Sequence, residues 1–503
     1  MPGSRYVIAI DQGTTNTKSV LLDRTGKVRH RSSRPVHISF PRAGWAEQDA
    51  NEIWNTAREV LKECFDQCQP NEVAGIGISN QRETVAMWQR HDGAPVAPCV
   101  SWQCQRGADI CRRLKSSSRA EATVLAKTGL RLDPMFSASK LAWLLECDPQ
   151  RRVRAEAGEL CAGTIDSWLL WNLSKGHIHG TEASNASRTQ LCDIRSAAWD
   201  EELLGMFGVP KSVLPVIYSS NAVFGETAGG NGIPAGVPIC GILGDSHAAL
   251  FAHAAFSPGV VKATYGTGSS LMSPVASVRT DQHISNTIAW SLNRQTQHAL
   301  EGNIFVTGAA VQWVGKLLQL QNPAQEITEL AMRTPDSEGV HFVPALAGLG
   351  APYWDASARG VISGLTLAST SAHLARATLD SIAFQVRDVL EAMETAGRIE
   401  ISELLADGGA AENDLLMQIQ TDIIGRPVVR SASRDLSAQG AAWMAGLSSG
   451  VWSSLDELKQ IPQEVTRFEP KLSASLREEK YARWKEAVAR TLGTSTAADR
   501  GLV

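Results

Sequence analysis

Two short passages built alike, about 250 residues apart, constrain the fold of this 503-residue chain more than any other feature of it. The first runs from a β-branched strand at 6–10 through a polar turn, DQGTTN (11–16), into a second apolar run at 19–22. The second runs from a strand at 260–264 through Tyr265-Gly-Thr-Gly268 into a returning strand at 270–272. A strand–Gly/Thr turn–strand unit opening each half predicts a duplicated architecture, although two matches this short also arise by coincidence. The chain is too long for one ordinary core, so two large domains are expected, 1–250 and 251–503, divided after the Gly/Pro-rich stretch 228–238.

The rest of the pattern is mixed α/β. A strand is expected at 73–78, helices around 140–145 and 165–173, and a strand at 404–407 leading through Gly408-Gly409 into a helix over 413–424. Leu379, Ile382, Val386, Val389, Leu390 and Met393 recur at steps of three and four, which lays one face of a helix on a core. Net charge is −4, from 48 basic and 52 acidic residues with no long run of one sign, and this argues against a nucleic-acid or anionic-membrane partner. The nine cysteines form no CxxC pair and no zinc-spaced cluster, so reduced thiols are expected. The apolar run at 6–10 is too short for a signal peptide, and the stretch 236–261 is broken by Asp245, His247 and His253, so neither spans a membrane. A cytoplasmic location follows as the expectation.

Several residues have chemistry to offer, each with a plainer reading beside it. In Asp-x-Gly-Thr-Thr, glycine lets backbone N–H groups approach an anion and the hydroxyls of Thr14 and Thr15 add donors, while Asp11 could hold Mg²⁺ through water. The plainer reading is a hairpin turn closed by an Asx bond. Asp245 follows an apolar segment and precedes a helical run; it is either a general base at a strand end or a helix N-cap. Arg82-Glu83 follows a buried strand and is either a binding pair or a solvated one, and Trp102 alone would be assigned to a core. Gly75-Ile-Gly77 and Gly348-Leu-Gly350 do not complete a dinucleotide fingerprint, and no Walker A sequence is present.

Taken in order, DQGTTNTK (11–18), GWAEQD (44–49), SNQRET (79–84), SWQCQR (101–106), NASRT (185–189), GILGD (241–245), TYGTG (264–268), GLGAPYWD (348–355), ARGVISGLT (358–366) and DGGAAEN (407–413) resemble the FGGY family of carbohydrate kinases, and within it the glycerol kinases. The resemblance implies an actin-like fold of two ribonuclease-H-like domains around a deep cleft, with polyol mainly on the first domain and nucleotide mainly on the second. It implies ATP-dependent phosphorylation of a terminal hydroxyl of a small polyol, glycerol first, giving glycerol 3-phosphate. Asp245 matches the catalytic base and Asp11 the Mg²⁺ position. Thr14, Thr15, Asn16, Lys18, Thr267, Gly308, Gln312, Gly409 and Asn413 match nucleotide positions. Arg82, Glu83, Trp102, Met135, Asp245, Ser246 and Ser270 match polyol positions.

Five departures accompany the match. Lys18 stands where an arginine is usual, which keeps the charge and loses the planar fork. Met135, Ser246 and Ser270 stand where tyrosine, glutamine and phenylalanine are expected, so the pocket loses bulk and gains hydroxyls. The alternative expectation is therefore a four- or five-carbon polyol or ketose. The stretch 229–236, which in fructose 1,6-bisphosphate-controlled members is basic, contains no Lys or Arg, so a phosphorylated sugar is expected to find no cation there. A homo-dimer or homo-tetramer is implied by the resemblance alone. An idle sensor and an actin-like filament protein are the non-catalytic alternatives. An intact Asp11 and Asp245 disfavour the first, and the polyol-site matches disfavour the second.

Overall fold

The computed structural model describes residues 5–498. Two large sheets organise it, and each is built around one of the two strands that open the halves. In the first, Tyr6–Gln12 runs antiparallel to Asn16–Asp23, which runs antiparallel to Val28–Pro35. On its other side it runs parallel to Val73–Asn80, which runs parallel to Ile233–Gly244, and Val223–Gly230 closes the edge. In the second, Val260–Tyr265 runs antiparallel to Ser269–Val275, which runs antiparallel to Gln295–Ile304. On its other side it runs parallel to Glu403–Asp407, which runs parallel to Val428–Ser431. An antiparallel meander on one flank and parallel crossover strands on the other, repeated in sequence order, is the duplication that the two turn motifs predict.

Local signals explain the elements. Val73–Asn80 is buried at all eight positions, as expected of a parallel strand covered on both faces. The neighbouring strands Tyr6–Gln12, Asn16–Asp23 and Val28–Pro35 are covered by the helix Ala50–Phe65, capped where the Asp49 carboxylate accepts from the Asn51 N–H, with Ile53, Ala57, Val60, Leu61 and Cys64 on its buried face. The long helix Ser371–Gly397 buries all six apolar residues predicted for it, each contributing about 1.5–3 kcal/mol of transfer free energy.

The second half does not pack only on itself. The helix Leu436–Ser449 lies against the first sheet, close enough that a Cβ on Gly77 would overlap the Ala441 carbonyl. One apolar cluster accordingly takes Val7, Ala9 and Leu22 from the first half together with Met272, Trp290 and Trp443 from the second. A Cβ on Gly350 would likewise overlap the Asn303 carbonyl. The two glycine pairs that fail as nucleotide fingerprints thus serve close backbone approach.

Candidate active site

The carboxyl ends of both sets of parallel strands face one cleft. In register across the first sheet stand Asp11, Ser79 and Leu243, followed one step later by Gln12, Asn80 and Gly244. Past these ends the chain turns into the loop carrying Gln81–Glu83 and, directly after Gly244, into the helix that begins at Asp245. Across the second sheet Thr264 is level with Asp407 on one side and Ser270 on the other. Open α/β sheets bind ligands beyond such strand ends.

Asp11 accepts a hydrogen bond from Ser79 Oγ at 2.9 Å and is paired in the hairpin register with Lys18. Burial pushes its carboxyl up to about 6, against the opposing pull of Lys18 and the Ser79 bond. Lys18 Nζ reaches Asp435 at 3.6 Å, and Arg31 pairs with the same carboxylate. Asp11, Lys18, Asp407, Gly408, Gly409 and Arg430 line a cavity of about 520 Å³. Gly408 is required at its edge: φ is 91°, and a Cβ would sit 2.5 Å from the Tyr265 carbonyl. Beside Gly409 a Cβ would meet nothing within 4 Å, so its backbone borders open space. Burial acts to raise the Asp407 carboxyl, but a 2.9 Å bond to His253 and the charge of Lys262 hold it below the usual range.

The second cluster centres on Arg82. Its loop is held by amide pairing, in which Gln81 Nε2 donates to Gln12 and Gln48, both at 3.0 Å. Asp245 is the first residue of the helix Asp245–Ala252, and the cap position belongs to Gly244. This corrects the N-cap alternative. The glycine takes the extended cap conformation and leaves room for Arg82, whose Cγ and Cδ would lie 2.7 Å from any Cβ there. The Asp245 side chain is 39% exposed and its Oδ1 lies 3.0 Å from Arg82 Nε. Arg82 also donates to Glu301 at 2.7 Å and to Ser246 Oγ at 3.3 Å. Arg188 donates to Glu83 at 2.7 Å and pairs with Glu301 Oε2 at 2.5 Å, the second contact lacking hydrogen-bond alignment. Ser270 Oγ donates to Glu301 Oε1 at 3.2 Å. Burial would raise the Glu301 carboxyl, but Arg188 and Arg82 hold it far below the usual carboxylate range.

Other expected residues fall around these clusters. Trp102 Nε1 donates to Thr14 Oγ1 at 3.0 Å, which joins a residue expected at the polyol to one expected at the phosphates. The Met135 carbonyl accepts from Lys140, a buried lysine that burial pushes down to about 8. Asn16 Nδ2 donates to Thr15 Oγ1 at 3.2 Å within the exposed turn. Thr267 and Gly308 adjoin, because the Thr267 carbonyl accepts from Thr307 and Ala309 while the Gly308 N–H donates to Gly266. Gln312 lies exposed one turn further along the helix Gly308–Leu317. Asn413 caps the helix Asp414–Ile424 and donates to Thr328 at 2.8 Å. Of the expected nucleotide residues, Lys18 and Gly409 line the cavity with Asp11, whereas Thr14, Thr15, Asn16, Thr267, Gly308, Gln312 and Asn413 do not.

Sequence reasoning missed Glu301 and Asp435, which lie in no motif, and it quoted Arg188 only as part of NASRT. A charged residue inside an otherwise strand-like stretch was the one available signal for Glu301. Sequence reasoning also missed two lysines that approach the stretch 229–236. The stretch has none of its own, but a Cβ on Gly230 would lie 3.3 Å from Lys175 Nζ, and the Lys62 stem presses on Gly232. Both lysines come from elsewhere in the chain.

With fold and site in view, the comparisons are unambiguous. The FGGY family of carbohydrate kinases matches with its N-terminal domain over residues 6–252 and its C-terminal domain over 261–449. The chain belongs to the FGGY family of carbohydrate kinases. It is 43% identical over 493 residues to glycerol kinase 2 of Thermotoga maritima, covering 97% of this chain and 99% of that one. It is 45% identical over 492 residues to glycerol kinase of Aromatoleum aromaticum, with the same coverage of each. The crystal structure of Plasmodium falciparum glycerol kinase with ADP superposes with a TM-score of 0.90 at 32% identity, covering 98% of this chain and 99% of that one.

Proposed function

We propose that this kinase transfers the γ-phosphoryl group of ATP to a terminal hydroxyl of glycerol, giving glycerol 3-phosphate, with Asp245 as general base. The observation that carries the reading is the Asp245 carboxylate, which opens a helix at the cleft, stays 39% exposed and is paired with Arg82. A hydroxyl beside it loses its proton to the carboxylate as the oxygen attacks the γ-phosphorus. The new P–O bond forms as the bond to the ADP oxygen breaks, and ADP leaves with the electron pair. Arg82 and Glu83 would bond the remaining hydroxyls, and the Trp102 indole would pack on the carbon backbone. In this reading residues 1–250 hold chiefly polyol and residues 251–503 chiefly nucleotide. Thr14, Thr15, Asn16 and Lys18 face the β- and γ-phosphates, and Thr267, Gly308, Gln312, Gly409 and Asn413 face the rest of the nucleotide.

Asp11 is the residue that would hold Mg²⁺, whose charge would offset that of the phosphates. Mg²⁺ keeps several waters and takes phosphate oxygens as ligands, so one protein carboxylate is enough to anchor it. No described helix is long and apolar enough to cross a membrane, and all nine cysteines are free. Unpaired thiols support a cytoplasmic setting. A homo-dimer or homo-tetramer is the proposed assembly, measurable by light scattering.

A second reading, a four- or five-carbon polyol or ketose, draws on one observation. Ser246 and Ser270 place only hydroxyls against Arg82 and Glu301, at positions where the family resemblance leads one to expect bulk. ADP release with Mg²⁺ and ATP across glycerol, tetritols, pentitols and pentuloses decides between the two. A kcat/KM for glycerol about tenfold above every larger substrate sinks the second reading, and the reverse order sinks the first. Asp245→Asn is expected to lower kcat by roughly 10²–10⁴ with the favoured substrate. A fall of less than about tenfold would remove the base from Asp245.

A further inference from the structure

We infer that Glu301 is a positioning residue of the polyol site, contributed across the cleft to hold Arg82 in line with Asp245. Glu301 lies on the strand Gln295–Ile304 of the second sheet, and its side chain is fully buried. Its Oε1 accepts from Arg82 Nη1 at 2.7 Å and from Ser270 Oγ at 3.2 Å, and its Oε2 lies 2.5 Å from Arg188 Nη1. The result is a line of alternating charge, Asp245–Arg82–Glu301–Arg188–Glu83, with Glu301 at its centre. The two ends, Asp245 and Glu83, are residues that the proposed function gives to substrate. The other four members all come from the first half of the chain, so the acid that joins the two arginines is supplied by the opposite sheet.

A guanidinium presents its donors in a fixed planar fork, so pinning Nη1 sets the direction in which Nε points. Glu301 therefore fixes the geometry of the Arg82–Asp245 pair without touching substrate, being fully buried between the two arginines. It also separates two buried arginines whose charges would otherwise repel. Sequence distance conceals this, because 219 residues lie between Arg82 and Glu301.

The inference rests on the proposed function, and the experiment separates the two. Wild type, Glu301→Gln and Glu301→Asp are compared by steady-state kinetics with polyol and ATP varied separately, alongside thermal unfolding. The polyol is whichever member of the panel the wild type turns over fastest. Glu301→Gln is expected to raise the polyol KM roughly tenfold or more while the ATP KM stays within about twofold. Because it leaves two arginines sharing no acid, it can fail to fold; Glu301→Asp keeps the charge and withdraws it by one methylene. The Asp variant is expected to melt near wild type and to show an intermediate polyol KM. A wild type that turns over no polyol sinks the functional reading. With an active wild type, a Glu301→Asp protein whose polyol KM stays within about twofold, or one too unfolded to assay, overturns the inference, since the carboxylate would then serve packing alone.

Discussion

Gly408 combines two constraints that no other residue type meets at once: a φ of 91° and a position where any Cβ would lie only 2.5 Å from the Tyr265 carbonyl oxygen. Gly408→Ala is expected to cost about 1–3 kcal/mol from the dihedral alone and to raise the ATP KM by shifting the cavity edge. Chemical denaturation and steady-state kinetics check this, and a variant with wild-type stability would refute it. The same residue shows what a sequence can and cannot disclose. Asp407-Gly-Gly409 was legible as a phosphate-type turn, because glycine pairs after a strand have few other uses. That the first glycine is forced by a neighbouring strand while the second borders open space was not legible, since both read alike.

At the scale of elements, Asp388 joins two long helices. It lies buried on Ser371–Gly397, accepting from Tyr481 Oη at 2.7 Å and from Trp484 Nε1 at 2.8 Å, both on Ala474–Ala498. Burial pushes its carboxyl up to about 7, against the bonds from Trp484, Tyr481 and Tyr353, and the nearby Glu391 adds to the rise. Burial likewise pushes Glu182 up to about 7. Between their unfolded values near 4 and about 7, each group keeps a proton in the native state that the unfolded chain has released. Stability from these groups is therefore greatest at the acid end of that window and falls as pH rises through it. The urea midpoint is expected to be higher at pH 5.5 than at pH 8, and Asp388→Asn should narrow the gap without closing it, because Glu182 remains. An unchanged gap in the variant would count against Asp388 as a titrating group. The helix itself was predictable from its apolar stripe, but the carboxylate on its buried face is partnered by a helix about 90 residues away, beyond any periodic signal.

At the scale of the whole molecule, the two halves meet in a shared apolar cluster and again in the charge line through Glu301. Ligands that bind on opposite sides of such a cleft should help one another by favouring the same closed arrangement. Glycerol together with a non-hydrolysable ATP analogue is expected to raise Tm by more than the sum of the two separate shifts. Strictly additive shifts would mean that the halves do not move as ligands bind.

What the sequence determined by itself was whatever is local or repeated. The paired turn motifs foretold two sheets, the apolar stripe foretold the long helix, and Asp11, Arg82, Asp245 and Gly409 were found because each sits at a strand end beside a recognisable turn. Only the tertiary structure decided the partners of those residues. Arg82 answers to Glu301, Lys18 to Asp435, and the cation-free loop at 229–236 to Lys62 and Lys175, each pair far apart along the chain. The physical reason is that backbone preference acts over a few residues, whereas a buried charge is stabilised by whatever opposite charge the packing of distant strands brings within about 4 Å.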